Sequence, residues 1–272
     1  MSEIVLIPPG QSASISPQSS GFAHGFGLFE TMRFEAGQLC FWDLHWERLK
    51  QSAKYFGLEV PDKNAVIGAV QSLVQSLDTR ELILKLSLLK EVGGTRLYIY
   101  SRPAMASPPA GQLILDTQFP IHADSPLSGH KTHNYMECIY LLEKARAQGY
   151  RDWLRLDTEG FVAETTTSNV FFIKDVEIVT PPAGGSILPG VAREALLGSD
   201  QIEICEQKIS PGMLRDMRGA FITNAIMGVQ AVSGVEGLPD GDPVDFDLNH
   251  PLIEKIRSEF DRLKAIHALK LI

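Results

Sequence analysis

Cysteine is scarce: Cys40, Cys138 and Cys205 are the only three in 272 residues, an odd number with no Cys-x-x-Cys pair. That usage excludes a disulfide framework and suits a reducing compartment. Long hydrophobic runs are lacking too. No stretch approaches the roughly 18 apolar residues that a membrane helix needs, and the opening M-S-E-I-V-L-I-P-P-G has an acidic residue and an apolar run far short of a signal sequence. Neither export nor membrane insertion is expected, and the protein is read as cytoplasmic. Positive charge is in deficit, with 25 Lys and Arg against 33 Asp and Glu and a formal charge of −8. The basic residues are not clustered, so the counterion release that drives nucleic-acid binding has no surface to work from. No internal repeat or low-complexity tract is visible. What the chain does have is 44% hydrophobic content, enough for one large core or two modest ones.

Periodicity divides the chain. G-L-F-E-T-M-R-F and Q-L-C-F-W, turning at Gly37, read as a hairpin. A helix follows with Leu44, Leu49, Ala53 and Phe56 at helical spacing, Asp43 as its N-cap and Gly57 as its stop. A second amphipathic helix covers 62 to 78. The strands E-L-I-L-K-L-S-L-L and R-L-Y-I-Y-S-R form another hairpin around K-E-V-G-G-T. Four prolines between 103 and 120 then mark a connection. The expected domains are residues 1–120 and 126–272, joined through 118–125. The second half opens with S-G-H-K-T-H-N-Y and a helix to Gln148. Strands W-L-R-L-D, F-V-A-E-T, N-V-F-F-I and E-I-V-T-P follow, read as an antiparallel run. Next come a helix opening at Gly190, a strand I-E-I-C-E-Q-K, a short helix near 211–217, strands A-F-I-T-N and G-V-Q-A-V, and a terminal helix over 250–270. The class is α+β, without the alternation of a nucleotide-binding sheet.

Several motifs carry little. Gly25-Phe26-Gly27 lacks the third glycine and the helix of a dinucleotide fingerprint. His130 and His133 have no third ligand at suitable spacing, so no metal site is expected. Other residues make sense together around a phosphorylated, ring-nitrogen cofactor. Lys131 can supply an amine for a Schiff base. Glu164, between apolar neighbours in a strand, is costly to bury without a cationic partner, and a protonated pyridine nitrogen is one. Arg48 can clamp a phosphate, or form an ordinary helix-face ion pair. Gly190-Val191-Ala192 opens a helix whose first N–H groups suit a phosphate. Thr223 and Asn224 end a strand and can add donors, or simply make a turn.

K-T-H-N-Y, G-F-V-A-E-T-T-T-S-N-V-F, V-T-P, I-L-P-G-V-A-R and F-I-T-N-A-I-M-G-V-Q-A-V are collinear, and G-F-G-L-F-E-T-M-R and L-H-W-E-R-L-K-Q-S precede them. Together they resemble the signature of the class IV aminotransferase family, the fold-type IV pyridoxal-phosphate (PLP) enzymes, from about residue 21 onward. The resemblance implies a two-domain α+β fold like that of D-amino-acid aminotransferase, with the cofactor between the domains, and a homodimer acting on a small amino-group substrate. It implies Lys131 as the Schiff-base lysine that later shuttles a proton, Glu164 on the pyridine nitrogen and Arg48 on the phosphate. The backbone of Gly190, Val191 and Ala192 and the side chain of Thr223 or Asn224 would complete the phosphate cup, with Tyr135 near the ring and Asn169 in the cofactor site.

The departures concern substrate. His24-Gly25-Phe26-Gly27 stands where relatives often have Tyr-Gly-Asp-Gly, which marks His24 and Phe26 as substrate-side positions. Ala192 replaces a common threonine, and Lys90 stands where arginine is usual, leaving Arg96 as the candidate for a substrate carboxylate. The two residues between Lys131 and Asn134-Tyr135, and T-N-A-I-M-G, are most similar to aminodeoxychorismate lyases, which eliminate pyruvate to leave 4-aminobenzoate. The alternatives are an aminotransferase of branched-chain or D-amino acids, and a non-catalytic PLP-binding or regulatory homologue.

Overall fold

The computed structural model describes residues 2–77, 79 and 81–271. Residue 78, the last of the second expected helix, lies outside them. The chain divides into two compact units. The first comprises Met1–Ala106, His130–Asn134 and Lys264–Ile272, and the second Ser107–Gly129 and Tyr135–Leu263.

The first unit is built on the alternation of one strand. Its elements are β1 (Glu3–Ile7), α1 (Ser20–His24), β2 (Gly27–Glu35), β3 (Gln38–Leu39), α2 (Trp42–Tyr55), α3 (Lys63–Gln75), β4 (Glu81–Glu91) and β5 (Gly94–Pro103). Along β4, Leu82, Leu84, Leu86 and Leu88 point to one face and pack with Trp42, Trp46 and Leu49 of α2 and Val66, Val70 and Leu73 of α3. Each such side chain contributes about 1.5–3 kcal/mol when fully buried. Ile83, Lys85, Ser87 and Leu89 take the opposite face, as period two requires. The six-stranded order is β1-β5-β4-β2-β3 followed by the C-terminal strand Leu269–Lys270.

The second unit contains β6 (Gly111–Leu115), α4 (Met136–Ala147), β7 (Asp152–Leu156), β8 (Val162–Thr165), β9 (Asn169–Lys174), β10 (Glu177–Thr180), α5 (Val191–Leu197), β11 (Ile204–Glu206), a 3₁₀ turn Pro211–Asp216, β12 (Gly219–Asn224), β13 (Gly228–Glu236), β14 (Val244–Asp245) and α6 (Pro251–Ile266). Its sheet runs β11-β10-β9-β12-β13-β6-β7-β8, with β14 added on β13. Val170, Phe172, Ala220, Ile222 and Val232 form its core.

The four strands read as an antiparallel run pair antiparallel as β7 with β8 and β9 with β10, while the sheet as a whole is mixed: β6 lies parallel to both β13 and β7, and β11 is parallel to β10. Two expectations need correction. β6 itself falls where the prolines pointed to a bare connection; five residues are enough because both edges are paired. Asp43 does not cap α2. The helix begins two residues earlier, after Phe41, whose apolar side chain makes no cap bond, and Asp43 instead accepts from Lys63 Nζ at 2.7 Å. Among the described residues no helix is long and apolar enough to cross a membrane.

Candidate active site

In the first unit, Lys131 is held by backbone pairing. The carbonyl of Lys131 accepts from Phe29 N–H at 2.9 Å, and His133 N–H donates to Gly27 O at 2.9 Å. A bridge between Leu28 and Thr132 closes the ladder, so residues 130–134 lie against β2 like a further short strand. The Lys131 amine sits 4.4 Å from the centre of the Phe29 ring, and Lys85 Nζ lies at the same distance from that ring. The two flanking histidines go separate ways. His130 Nδ1 is 2.9 Å from Ser52 Oγ. The His133 ring packs on Phe29, and burial first, then the charge of Lys85, pushes its pKa down to about 4.

One residue beyond Phe29 is a carboxylate that sequence reasoning passed over. Glu30 is 1% exposed. Its Oε1 accepts from Arg48 Nε at 2.8 Å, and its Oε2 from Arg48 Nη2 at 2.6 Å. His45 Nδ1 stands 2.6 Å from Oε2. Burial alone would raise the Glu30 pKa, but Arg48 and His45 outweigh it and hold it at about 2. Burial lowers the His45 pKa, against the pull of Glu30, and Arg48 is the permanent cation of the cluster. The signal was present: F-E-T sets a carboxylate among apolar strand residues, the same argument that singled out Glu164.

The three substrate-side expectations lie in the first unit, with the following contacts. His24 is exposed at the end of α1. Phe26 packs edge-on against Phe56, 6.4 Å between centroids, with Lys90 over its ring. Arg96 pairs with Glu3 at 2.8 Å.

The second unit assembles most of the rest. On β8, Glu164 Oε2 accepts from Asn169 Nδ2 at 3.0 Å and from Leu188 N–H at 3.2 Å. Asn169 Nδ2 also donates to Leu188 O at 3.0 Å. Gly190 is the N-cap of α5, with no side-chain cap, and a Cβ there would overlap Asn169 Oδ1. Val191 and Ala192, both buried, supply the first N–H groups of the helix. Thr223 faces Asn169 in the β12–β9 register; it is 1% exposed and its Oγ1 has no hydrogen-bond partner among the described residues. Asn224 is spent on its turn: Oδ1 accepts from Ile226 and Met227 N–H, and Nδ2 donates to Ser168 Oγ. Of the two alternatives, Thr223 therefore has the hydroxyl to offer. Tyr135 caps α4 and donates to Thr166 O at 3.2 Å.

Within the second unit, a carboxylate held by two donors, a helix start without a side-chain cap and a buried hydroxyl stand near one another in sequence register; in the first unit, Lys131 is fixed by backbone pairing. The chain is 24% identical over 271 residues to a "probable branched-chain-amino-acid aminotransferase" of Rickettsia conorii, covering 94% of this chain and 92% of that one. It is 27% identical over 238 residues to the aminodeoxychorismate lyase of Vibrio harveyi, covering 79% and 84%. Among solved structures, a hypothetical aminotransferase of Mycobacterium tuberculosis in its PLP-bound form superposes with a TM-score of 0.81 at 23% identity, covering 96% of this chain and 95% of that one. The description amino-transferase class IV matches residues 27–235, and the chain belongs to that family.

Proposed function

We propose that the protein is a cytoplasmic, homodimeric PLP-dependent enzyme acting on a small amino-group substrate, with an aminodeoxychorismate lyase-like activity as the first reading. The observation that carries the cofactor assignment is the buried, unpartnered Thr223 hydroxyl, in register with Asn169, whose side chain Gly190 at the start of α5 adjoins. An orphaned polar atom of this kind costs about 1–3 kcal/mol unless a ligand satisfies it, and a phosphate oxygen would. The residues present therefore fit the group.

Thr223 Oγ1 and the N–H groups of Val191 and Ala192 would hold the phosphate, the role that the family resemblance also gives to Arg48. Glu30 fixes the plane of the Arg48 guanidinium by two bonds along one edge, and such preorganisation reduces the entropy lost on binding. Glu164, itself held by Asn169 and Leu188, would keep a proton on the ring nitrogen. When bound, the cofactor would supply an electron sink for a carbanion at the substrate Cα. Lys131 would supply the amine for covalent attachment and a base for the Cα proton, and Tyr135 would lie near the ring.

Likeness to T-N-S-L-M-G in T-N-A-I-M-G, residues 223–228, favours the lyase. The longer match to the Rickettsia relative keeps aminotransferase as the second reading. The deciding assay follows 4-aminobenzoate from aminodeoxychorismate beside conversion of the cofactor to its amine form by a panel of L- and D-amino acids. Aminobenzoate without net conversion is the expected result. Conversion by an amino acid with no aminobenzoate overturns the lyase and names the donor. In Lys131→Ala, loss of the visible absorption of the attached cofactor is expected; retention of that band would remove Lys131 from its role.

A further inference from the structure

Over the face of β4 and β5 turned away from the leucine core lies a cavity of about 590 Å³, lined from below by Ser87, Leu89, Tyr98 and Tyr100, and from the sides by the chain from Ile7 to Ile15 and by His133. Its size is that of a small-molecule site. No Asp, Glu, Lys or Arg is among its lining residues, and Lys85 of β4 stands beside it with Nζ 6.0 Å from the centre of the Tyr100 ring. Its one titratable imidazole, His133, is neutral at pH 7 because burial holds its pKa near 4.

The hydroxyls along this floor are not equivalent. Tyr98 Oη donates to Glu91 Oε1 at 3.0 Å and is committed. Ser87 Oγ and Tyr100 Oη lie 3.3 Å apart and share a hydrogen bond. Two hydroxyls have two protons and one bond between them uses only one, so a second remains to offer a ligand. The cavity is also tied to the reacting amine. The His133 ring that closes its side and the Lys131 amine both pack on Phe29, at 5.2 Å and 4.4 Å from its centre.

We propose that this cavity receives an uncharged, hydrogen-bonding portion of the substrate, and that Tyr100 and Ser87 are specificity-determining residues that recognise a hydroxyl or amide on it. The inference rests on the reading of Lys131 as the reacting amine. An anion entering the cavity would be desolvated with only Lys85, already engaged over the Phe29 and Tyr100 rings, as a neighbouring cation on that face, whereas a neutral ring bearing a hydroxyl meets both the apolar wall and the spare proton. A site built to pair a substrate hydroxyl also rejects the analogue that lacks it.

Amine-free analogues separate binding from chemistry. Titration calorimetry on the holoenzyme would compare 3-(4-hydroxyphenyl)propionate, 3-phenylpropionate and glutarate, for the wild type and for the Ser87→Ala/Tyr100→Phe double variant. The phenol is expected to bind at least about tenfold tighter than the phenyl acid, with glutarate weakest, and the double variant is expected to lose the preference for the phenol while binding the phenyl acid as before. Glutarate binding as tightly as the phenol, a preference that survives the double variant, or no binding by any of the three would overturn the inference. Absence of the cofactor's visible band would instead defeat the functional reading, and it is scored separately from this ranking.

Discussion

Glu30 concentrates more consequence than any other single side chain of the first unit, because Arg48 and His45 both meet it below the surface. Replacing Glu30 by Gln leaves the Arg48 charge without its counter-ion, and urea denaturation should show a loss of about 3–5 kcal/mol. The same carboxylate governs the acid limb of stability. Its folded pKa of about 2 lies below its ordinary value of 4.5, so its contribution is complete above pH 4.5 and is lost as pH falls toward 2. His133 acts higher. With a folded pKa near 4 against an ordinary 6.5, the unfolded chain takes the proton first on acidification. Between pH 6.5 and 4 the wild type should therefore lose on the order of 2 to 3 kcal/mol relative to His133→Phe, read from denaturation midpoints at each pH. A wild type and variant with parallel pH profiles would contradict that assignment. At this scale the sequence was only partly legible. A lone charge in an apolar strand announces that it has a partner, which found Glu164 and would have found Glu30. Nothing local announces that Arg48 lies on Glu30, because their pairing joins a helix to a strand 18 residues away.

Elements were easier to read than their ends. The period-two pattern of β4 and the 3.6-residue stripe of α3 survive intact, with Asp62 capping α3 through bonds to the N–H groups of Asn64 and Ala65. The missed elements β1, α1 and β6 are five residues each, too short for periodicity to separate them from loops; their partners in the sheets, rather than their own composition, stabilise them. The start of α5 shows how an element makes a site. Gly190 leaves room for Asn169 Oδ1 where any other residue would intrude. Gly190→Ala should displace Asn169 and with it one donor to Glu164. PLP affinity, measured by equilibrium titration of the apoprotein, should fall at least about tenfold, with a smaller change in thermal stability. Unchanged affinity would exclude the Asn169 contact from cofactor binding.

On the scale of the whole molecule, the sequence suggested two successive domains, whereas the first unit is gathered from three separate pieces of chain. Its last piece contributes an edge strand paired with β3 and the buried Leu271, whose N–H donates to Gly37 O at 3.0 Å. Deleting residues 268–272 removes that side chain and uncovers Leu39. The first unit should lose about 2–5 kcal/mol, the usual cost of emptying a large buried aliphatic site. Hydrogen exchange should report this as faster exchange in β2 and β3, with β9 and β12 unaffected.

The order in which the pieces are made has its own effect. On the ribosome, β1 to β5 emerge before any of the second unit, yet the strand segment carrying Lys131 is synthesised some 24 residues after the first unit's initial piece ends, and the strand Leu269–Lys270 later still. The oldest part of the polypeptide is thus completed late, and an interrupted translation product lacking that edge strand would hold Lys131 in a sheet still missing its edge.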